Sequence, residues 1–268
     1  MNSLVYPQSI LPGLKAWFED YISKFSFDDP IVQKSIDLKT EHTRRVCETI
    51  LDIGGSLDLS RDDSCMAEAA ALLHDIGRFE QYRQYRTFSD SRSEDHAALG
   101  VKIIEDNRVL HGLEPAVAEI IVRVVKYHNR AALPAGEEER FLFFLKLLRD
   151  ADKVDIWRLV TDYYHNDGNN RNQTIELDLP DRPQISDSVF KALMNGQLAH
   201  MVDLKTLNDF KLLQIGWIYD VNFPRTFQIV RENGYLEMIR DALPRKSIRV
   251  TEIYEQARAH LERNSSVT

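Results

Sequence analysis

His74 and Asp75 stand side by side at the end of an alanine-rich run, Ala-Leu-Leu-His-Asp-Ile-Gly-Arg, residues 71–78. The pattern there asks for apolar side chains. His42, His128 and Asp152 break their own segments in the same way, each falling on a stripe that should point into the protein. A buried carboxylate without a partner costs several kcal/mol, and an unpaired buried imidazole also costs free energy. One core histidine is usually explained by a hydrogen bond, but four such groups on separate segments would each need a partner. A shared divalent cation would satisfy them together, because neutral imidazole and carboxylate are common ligands of Mn, Fe, Ni and Zn.

The segments that must carry these residues read as helices. Residues 36–53 place His42, Val46, Ile50 and Ile53 on one face, and Gly54-Gly55 ends the segment. Ser60 and Asp63 form an N-cap pair for the run Met66 to Ile76, which is expected to stop at Gly77. Residues 95–110 are again helical. Pro115 suits a helix start, after which Val117, Ile121, Val124 and His128 share a stripe. Phe141 to Val160 carries Leu145, Leu148, Asp152, Ile156 and Leu159 at helical spacing. Residues 166–183 are rich in Asn, Asp and Gly and are expected to form a loop, with a short extended piece at residues 174–180. From Ser186 the pattern is helical, broken at Pro224, Gly234 and Pro244, and the tail 264–268 is expected to fray. The expected fold is all-α, a helical core over residues 1–165 with a helical C-terminal extension, 166–268, packed on it.

The ordered set of His42, then His74-Asp75, then a distant Asp152 resembles the HD-domain superfamily of metal-dependent phosphohydrolases. The flanking residues are similar too: His42-Thr-Arg-Arg-Val46, the Ala-Leu-Leu-His-Asp-Ile-Gly-Arg run, and Arg149-Asp-Ala-Asp-Lys-Val-Asp155. The resemblance spans roughly residues 36–160. It implies a helical bundle with a divalent ion (Mn, Mg, Fe, Ni or Zn) held by His42, His74, Asp75 and Asp152. In two-metal members, two further histidines come from the interval that here holds His96 and His128, and the aspartate of the pair bridges both ions. Single-metal nucleotidases lack them. His128 lies on an apolar stripe, whereas His96 would start a helix, so exposed helix caps are the alternative for this pair.

The chemistry implied is hydrolysis by a metal-activated water. Asp75 would bridge the ions and orient the nucleophile. Arg78 and Lys153 are placed to neutralise charge on phosphoryl oxygens, their alternative being solvated salt bridges with Glu80 or Asp155. Asp155 could instead orient a ligand histidine. Between Arg78 and His96, Tyr82, Tyr85 and Phe88 alternate with Arg83, Arg86 and Arg92. That mix suits a loop over a site, with Arg86 meeting substrate phosphate, or else a solvated loop. Trp217, Tyr219 and Phe223 are expected in the core, with Arg225 a candidate to reach the site.

Composition narrows the rest. A net charge of −8 disfavours a long nucleic acid as partner, because such affinity rests on clustered cations. No apolar run approaches the ~20 residues that span a bilayer, and no signal peptide is evident, so no membrane partner is expected. Two cysteines form no disulfide framework and point to a cytoplasmic protein. The chain lacks the Gly-Tyr-Pro motif of cyclic-di-nucleotide phosphodiesterases in this superfamily and the Glu-Asp pair of its alarmone hydrolases. The expected activity is therefore hydrolysis of a small phosphomonoester or phosphodiester, nucleotide-like. The alternatives are a di-iron oxygenase using the same ligands and a nucleotide-binding regulatory module without turnover.

Overall fold

The computed structural model describes residues 7–166 and 173–265, and among them every regular element is helical, with no strand. Two compact units divide after Asp152. The division falls inside one long helix.

The first unit holds α1 (Pro7–Ser23), α2 (Pro30–Gly55), α3 (Arg61–Leu73), α4 (Ile76–Tyr85), α5 (His96–Asp106), α6 (Pro115–Tyr127) and the first half of α7 (Glu139–Asn166). Each start is encoded locally. Asp29 caps α2 by accepting from the Ile31 and Val32 amides, with Pro30 in the first turn. Ser60 accepts from Asp63 N at the start of α3, and Asp62 and Asp63 meet the positive end of the helix dipole. Asp95 accepts from the Ala97 and Ala98 amides and so fixes where α5 begins. The core gathers Leu14, Phe18, Ile50, Ile53, Met66, Leu73, Phe79, Ile104, Ile121 and Phe141, all almost fully buried. Phe79 takes Phe18 edge-on at 6.1 Å and lies 5.7 Å from Phe25, which ties α4 to α1.

Two expectations are corrected here. The helix before Gly77 ends at Leu73, His74 and Asp75 form the junction, and Gly77 lies inside α4 instead of capping a helix. A methyl group on Gly77 would overlap the His96 carbonyl oxygen and stand 2.7 Å from Gly100 N. Glycine is needed there for the approach of α5, not for a stop. For the same reason residues 79–85 are helix rather than loop, with Phe79, Gln81 and Tyr82 buried.

The second unit continues α7 and adds α8 (Gln173–Glu176), α9 (Asp187–Met194), α10 (Leu207–Gly216), α11 (Pro224–Asn233), α12 (Tyr235–Asp241) and α13 (Ile248–Ser265). Trp157, fully buried, donates its indole N–H to Gln214 O and has Trp217 and Tyr235 as ring neighbours at 6.1 and 6.5 Å. Thr206 and Asp209 close a capping box on α10. Phe223 is buried, while Trp217 and Tyr219 are half-buried. The extended piece expected at residues 174–180 is instead a helical turn to Glu176, followed by Leu177 and Asp178 in left-handed conformation. Residues 167–172 of the Asn-, Asp- and Gly-rich loop and the tail end, 266–268, lie outside the described residues, whereas Asn264 and Ser265 finish α13. No helix of the described residues is long and apolar enough to cross a membrane.

Candidate metal centre

Five helical segments of the first unit converge on one cluster. α2 presents His42, the α3–α4 junction His74 and Asp75, α5 His96, the C-cap of α6 His128, and α7 Asp152. The junction matters because neighbours on an unbroken helix point about 100° apart. His74 still has helical backbone angles, but Asp75 sits at φ −103°, ψ 14°, in the bridge region where active-site residues collect. The break lets both side chains turn inward, and both are buried.

Three imidazoles are locked through Nδ1. His74 donates to Ala71 O and His128 to Val125 O, each at 2.7 Å, using carbonyls that a helix end leaves free. His96 opens its helix and has no preceding turn to offer a carbonyl; its Nδ1 meets Asp90 Oδ2 at 2.7 Å. Each Nε2 is thereby left as a bare acceptor directed into the cluster.

Asp75 divides the cluster into halves. Its Oδ2 faces His42 Nε2 at 3.5 Å and His74 Nε2 at 3.7 Å. Asp152 Oδ1 completes that half, 3.2 Å from His42 and 3.9 Å from His74. Asp75 Oδ1 faces His96 Nε2 at 3.3 Å and His128 Nε2 at 3.7 Å. The ring nitrogens lie 3.3 Å apart in the first half, His42 to His74, and 3.1 Å apart in the second, His96 to His128. Donors roughly 2.1 Å from one ion stand about 3.0–3.4 Å from each other, so both spacings fit a shared cation. With neutral rings, His96, His128 and Asp75 Oδ1 are three acceptors with no N–H between them, a conflict that a divalent cation removes.

The electrostatics agree. Burial holds the His74 imidazolium down to a pKa of about 4, so the ring is neutral and free to ligate at pH 7. Burial alone would raise the Asp75 carboxyl, but the Lys39 ammonium together with the His74, His128 and His96 rings around it holds Asp75 well below the carboxylate range. Asp152 is likewise held ionised, with His42 overcoming its burial. The cluster thus sets the neutral His74 ring beside ionised carboxylates, and imidazole with carboxylate is the donor set of Mn, Fe, Ni or Zn.

Two cations flank Asp75. Lys39 Nζ lies 2.6 Å from its Oδ2, and Arg78 Nε lies 3.5 Å from its Oδ1 without a hydrogen-bond partner of its own. The Arg78 guanidinium is held on the other side by Asp90 Oδ1 at 2.7 Å, Gln81 Oε1 at 2.8 Å and Phe88 O at 2.5 Å, so Asp90 is its ion-pair partner and not Glu80. Lys39, Asp90 and Gln81 were not legible as site residues. Lys39 sits one turn before His42, and that i−3 spacing was the available signal. Asp90 lies in a short turn of polar residues where no periodicity singles it out.

Lys153 and Arg86 are placed differently from the expectation for them. Lys153 belongs to the second unit, where its ammonium pairs with Asp220 Oδ2 at 2.7 Å and donates to Asp220 O. Arg86 is the left-handed C-cap of α4, exposed, with its guanidinium 4.8 Å over the Phe27 ring. Its ring contact there is with Phe27, away from the histidines. Asp155 is buried in the second unit, and Arg225 pairs with Glu232 along α11.

Comparison with known proteins bears on the same segment. The family model described as "HD domain" matches residues 40–157, which contain all six side chains of the cluster. The chain is 28% identical over 134 residues to a Bacillus subtilis (strain 168) protein named "Putative phosphohydrolase YueE", covering 48% of this chain and 73% of that one. No solved structure matches.

Proposed function

We propose that the protein is a metal-dependent phosphohydrolase whose centre takes two divalent ions and whose substrate is a small phosphoester, nucleotide-like in size, a reading that the match of residues 40–157 to the HD-domain family model supports. The observation that carries this reading is the division of the cluster about Asp75, with one carboxylate oxygen toward each pair of imidazoles. His42, His74 and Asp152 would hold one ion and His96 and His128 the other, with Asp75 shared. Bound there, divalent ions supply a water that ionises near neutral pH and a positive field for phosphoryl oxygens.

The chain's own residues do the remaining work. The Nδ1 tethers of His74, His96 and His128 keep their Nε2 lone pairs aimed inward. Lys39 and Arg78 place positive charge on both sides of Asp75, where negative charge grows on phosphoryl oxygens during hydrolysis. Phe88 stacks on Tyr82 at 4.6 Å and lies 5.6 Å from Lys39 Nζ, a flat apolar wall beside that cation that suits a base or another planar group. The two free cysteines, Cys47 and Cys65, fit a reducing cytoplasm.

The test is elemental analysis joined to turnover, on protein purified without chelator or nickel. About two equivalents of metal and Mn-dependent hydrolysis of p-nitrophenyl phosphate or bis-p-nitrophenyl phosphate are expected, both falling in Asp75→Ala. One equivalent that persists in His128→Ala would overturn the two-ion centre. Metal-loaded protein without turnover of either ester would favour a regulatory module.

A further inference from the structure

We infer that Asp90 is a positioning residue for one half of the metal centre, that of His96 and His128, and that it ties this half to the substrate cation Arg78. The inference rests on the two-ion reading above. Helix geometry explains why such a residue is needed. His74 and His128 end their helices and anchor Nδ1 on the carbonyls of Ala71 and Val125, three residues back. His96 is the first residue of α5, so no carbonyl of its own helix lies behind it and the acceptor must be a side chain. Asp90 supplies it, with Oδ2 2.7 Å and Oδ1 3.0 Å from His96 Nδ1.

A carboxylate differs from a carbonyl in this position, because it fixes the ring and also makes Nε2 a stronger donor to a metal. Asp90 Oδ1 also holds the Arg78 guanidinium at 2.7 Å. Gln81, completely buried, sets the carboxylate in turn: its amide donates to Asp90 Oδ1, Ser93 Oγ and Glu94 O, each at 2.9 Å. Arg78, Asp90 and His96 therefore form one chain from phosphate clamp to ligand. In the other half, the acceptor behind His74 is a backbone carbonyl, which no substitution at Asp90 removes.

The test is Mn²⁺ titration of chelator-treated full-length protein by calorimetry, with folding checked by circular dichroism. Wild type is expected to bind two equivalents. Asp90→Ala should weaken one of them about 10–100-fold and leave the other unchanged, and His128→Ala should lose the same equivalent. Asp90→Asn, which keeps an acceptor oxygen without the charge, should show a smaller loss and carries the test if the alanine variant misfolds. Ser93→Ala loosens the turn but keeps the Asp90–His96 contact, so it should bind as wild type does. Two wild-type affinities in Asp90→Ala overturn the inference while the two-ion reading stands. Equal loss in Ser93→Ala also overturns it, since Asp90 would then act only through the turn. A single equivalent in wild type overturns the two-ion reading and this inference together.

Discussion

Lys39 is the residue whose removal tests the phosphate clamp most directly. Its ammonium is 2.6 Å from Asp75 Oδ2 on a side chain only 19% exposed, so its charge acts where water screens it weakly. Arg78 commits its Nη1 to Asp90 Oδ1, Gln81 Oε1 and Phe88 O. Lys39→Met keeps the stem and removes the charge. It should lower kcat/KM for a phosphoester by about 10²–10³-fold, the typical loss of one preorganised donor. Lys39→Arg should recover part of that. Steady-state kinetics with metal content measured on the same samples decides the matter: equal kcat/KM at equal metal would remove Lys39 from the clamp. The six clustered positions were open to reading because each is polar on an apolar stripe or belongs to a spaced motif. Lys39 was not, because a lysine on a long helix is ordinarily a solvated residue and only the position of Asp75 in space gives it a partner.

At the scale of elements, the contact of α4 with α5 sets the position of His96. Gly77 on α4 meets the first turn of α5 so closely that no side chain fits between them, the His96 carbonyl being the nearest obstacle. Gly77→Ala would ordinarily favour a helix by about 1 kcal/mol through propensity. Here backbone must move, and overpacking of this kind costs about 1–3 kcal/mol or more. The variant should therefore be destabilised, with a lower urea midpoint, and should bind metal more weakly because α5 carries His96 away with it. A midpoint equal to or above that of wild type would show that the contact yields without strain. This close approach could not be read from the chain. A glycine after a polar pair looks like a helix stop, and only the partner helix shows that it is a spacer. The helices themselves were readable from caps such as Ser60 and Pro115, because capping is local chemistry, whereas the 174–180 alternation misled because period two over so few residues does not exclude a helical turn.

For the molecule as a whole, the metal centre and the stability of the first unit are linked. All six side chains of the cluster come from that unit, and they join α2, the α3–α4 junction, α5, α6 and α7. Without a cation, folding must bring the bare Nε2 atoms of His96 and His128 to 3.1 Å of each other beside an ionised Asp75. That arrangement opposes folding, although Lys39 and Arg78 offset the charge of Asp75. A cation bound only by the folded state shifts the equilibrium by RT ln(1 + [M]/Kd), about 2.7 kcal/mol at a hundredfold excess over Kd. At about 2–4 °C per kcal/mol for a chain of this size, Mn²⁺ should raise Tm by roughly 5–10 °C over protein in chelator. Differential scanning calorimetry across a metal series measures this. The rise should grow with the logarithm of metal concentration and be largely lost in His74→Ala, whose ring serves one half, and partly lost in His128→Ala. A Tm independent of metal in the wild type would mean that these residues pack as a polar core and hold no ion, and the hydrolase reading would lose its cofactor.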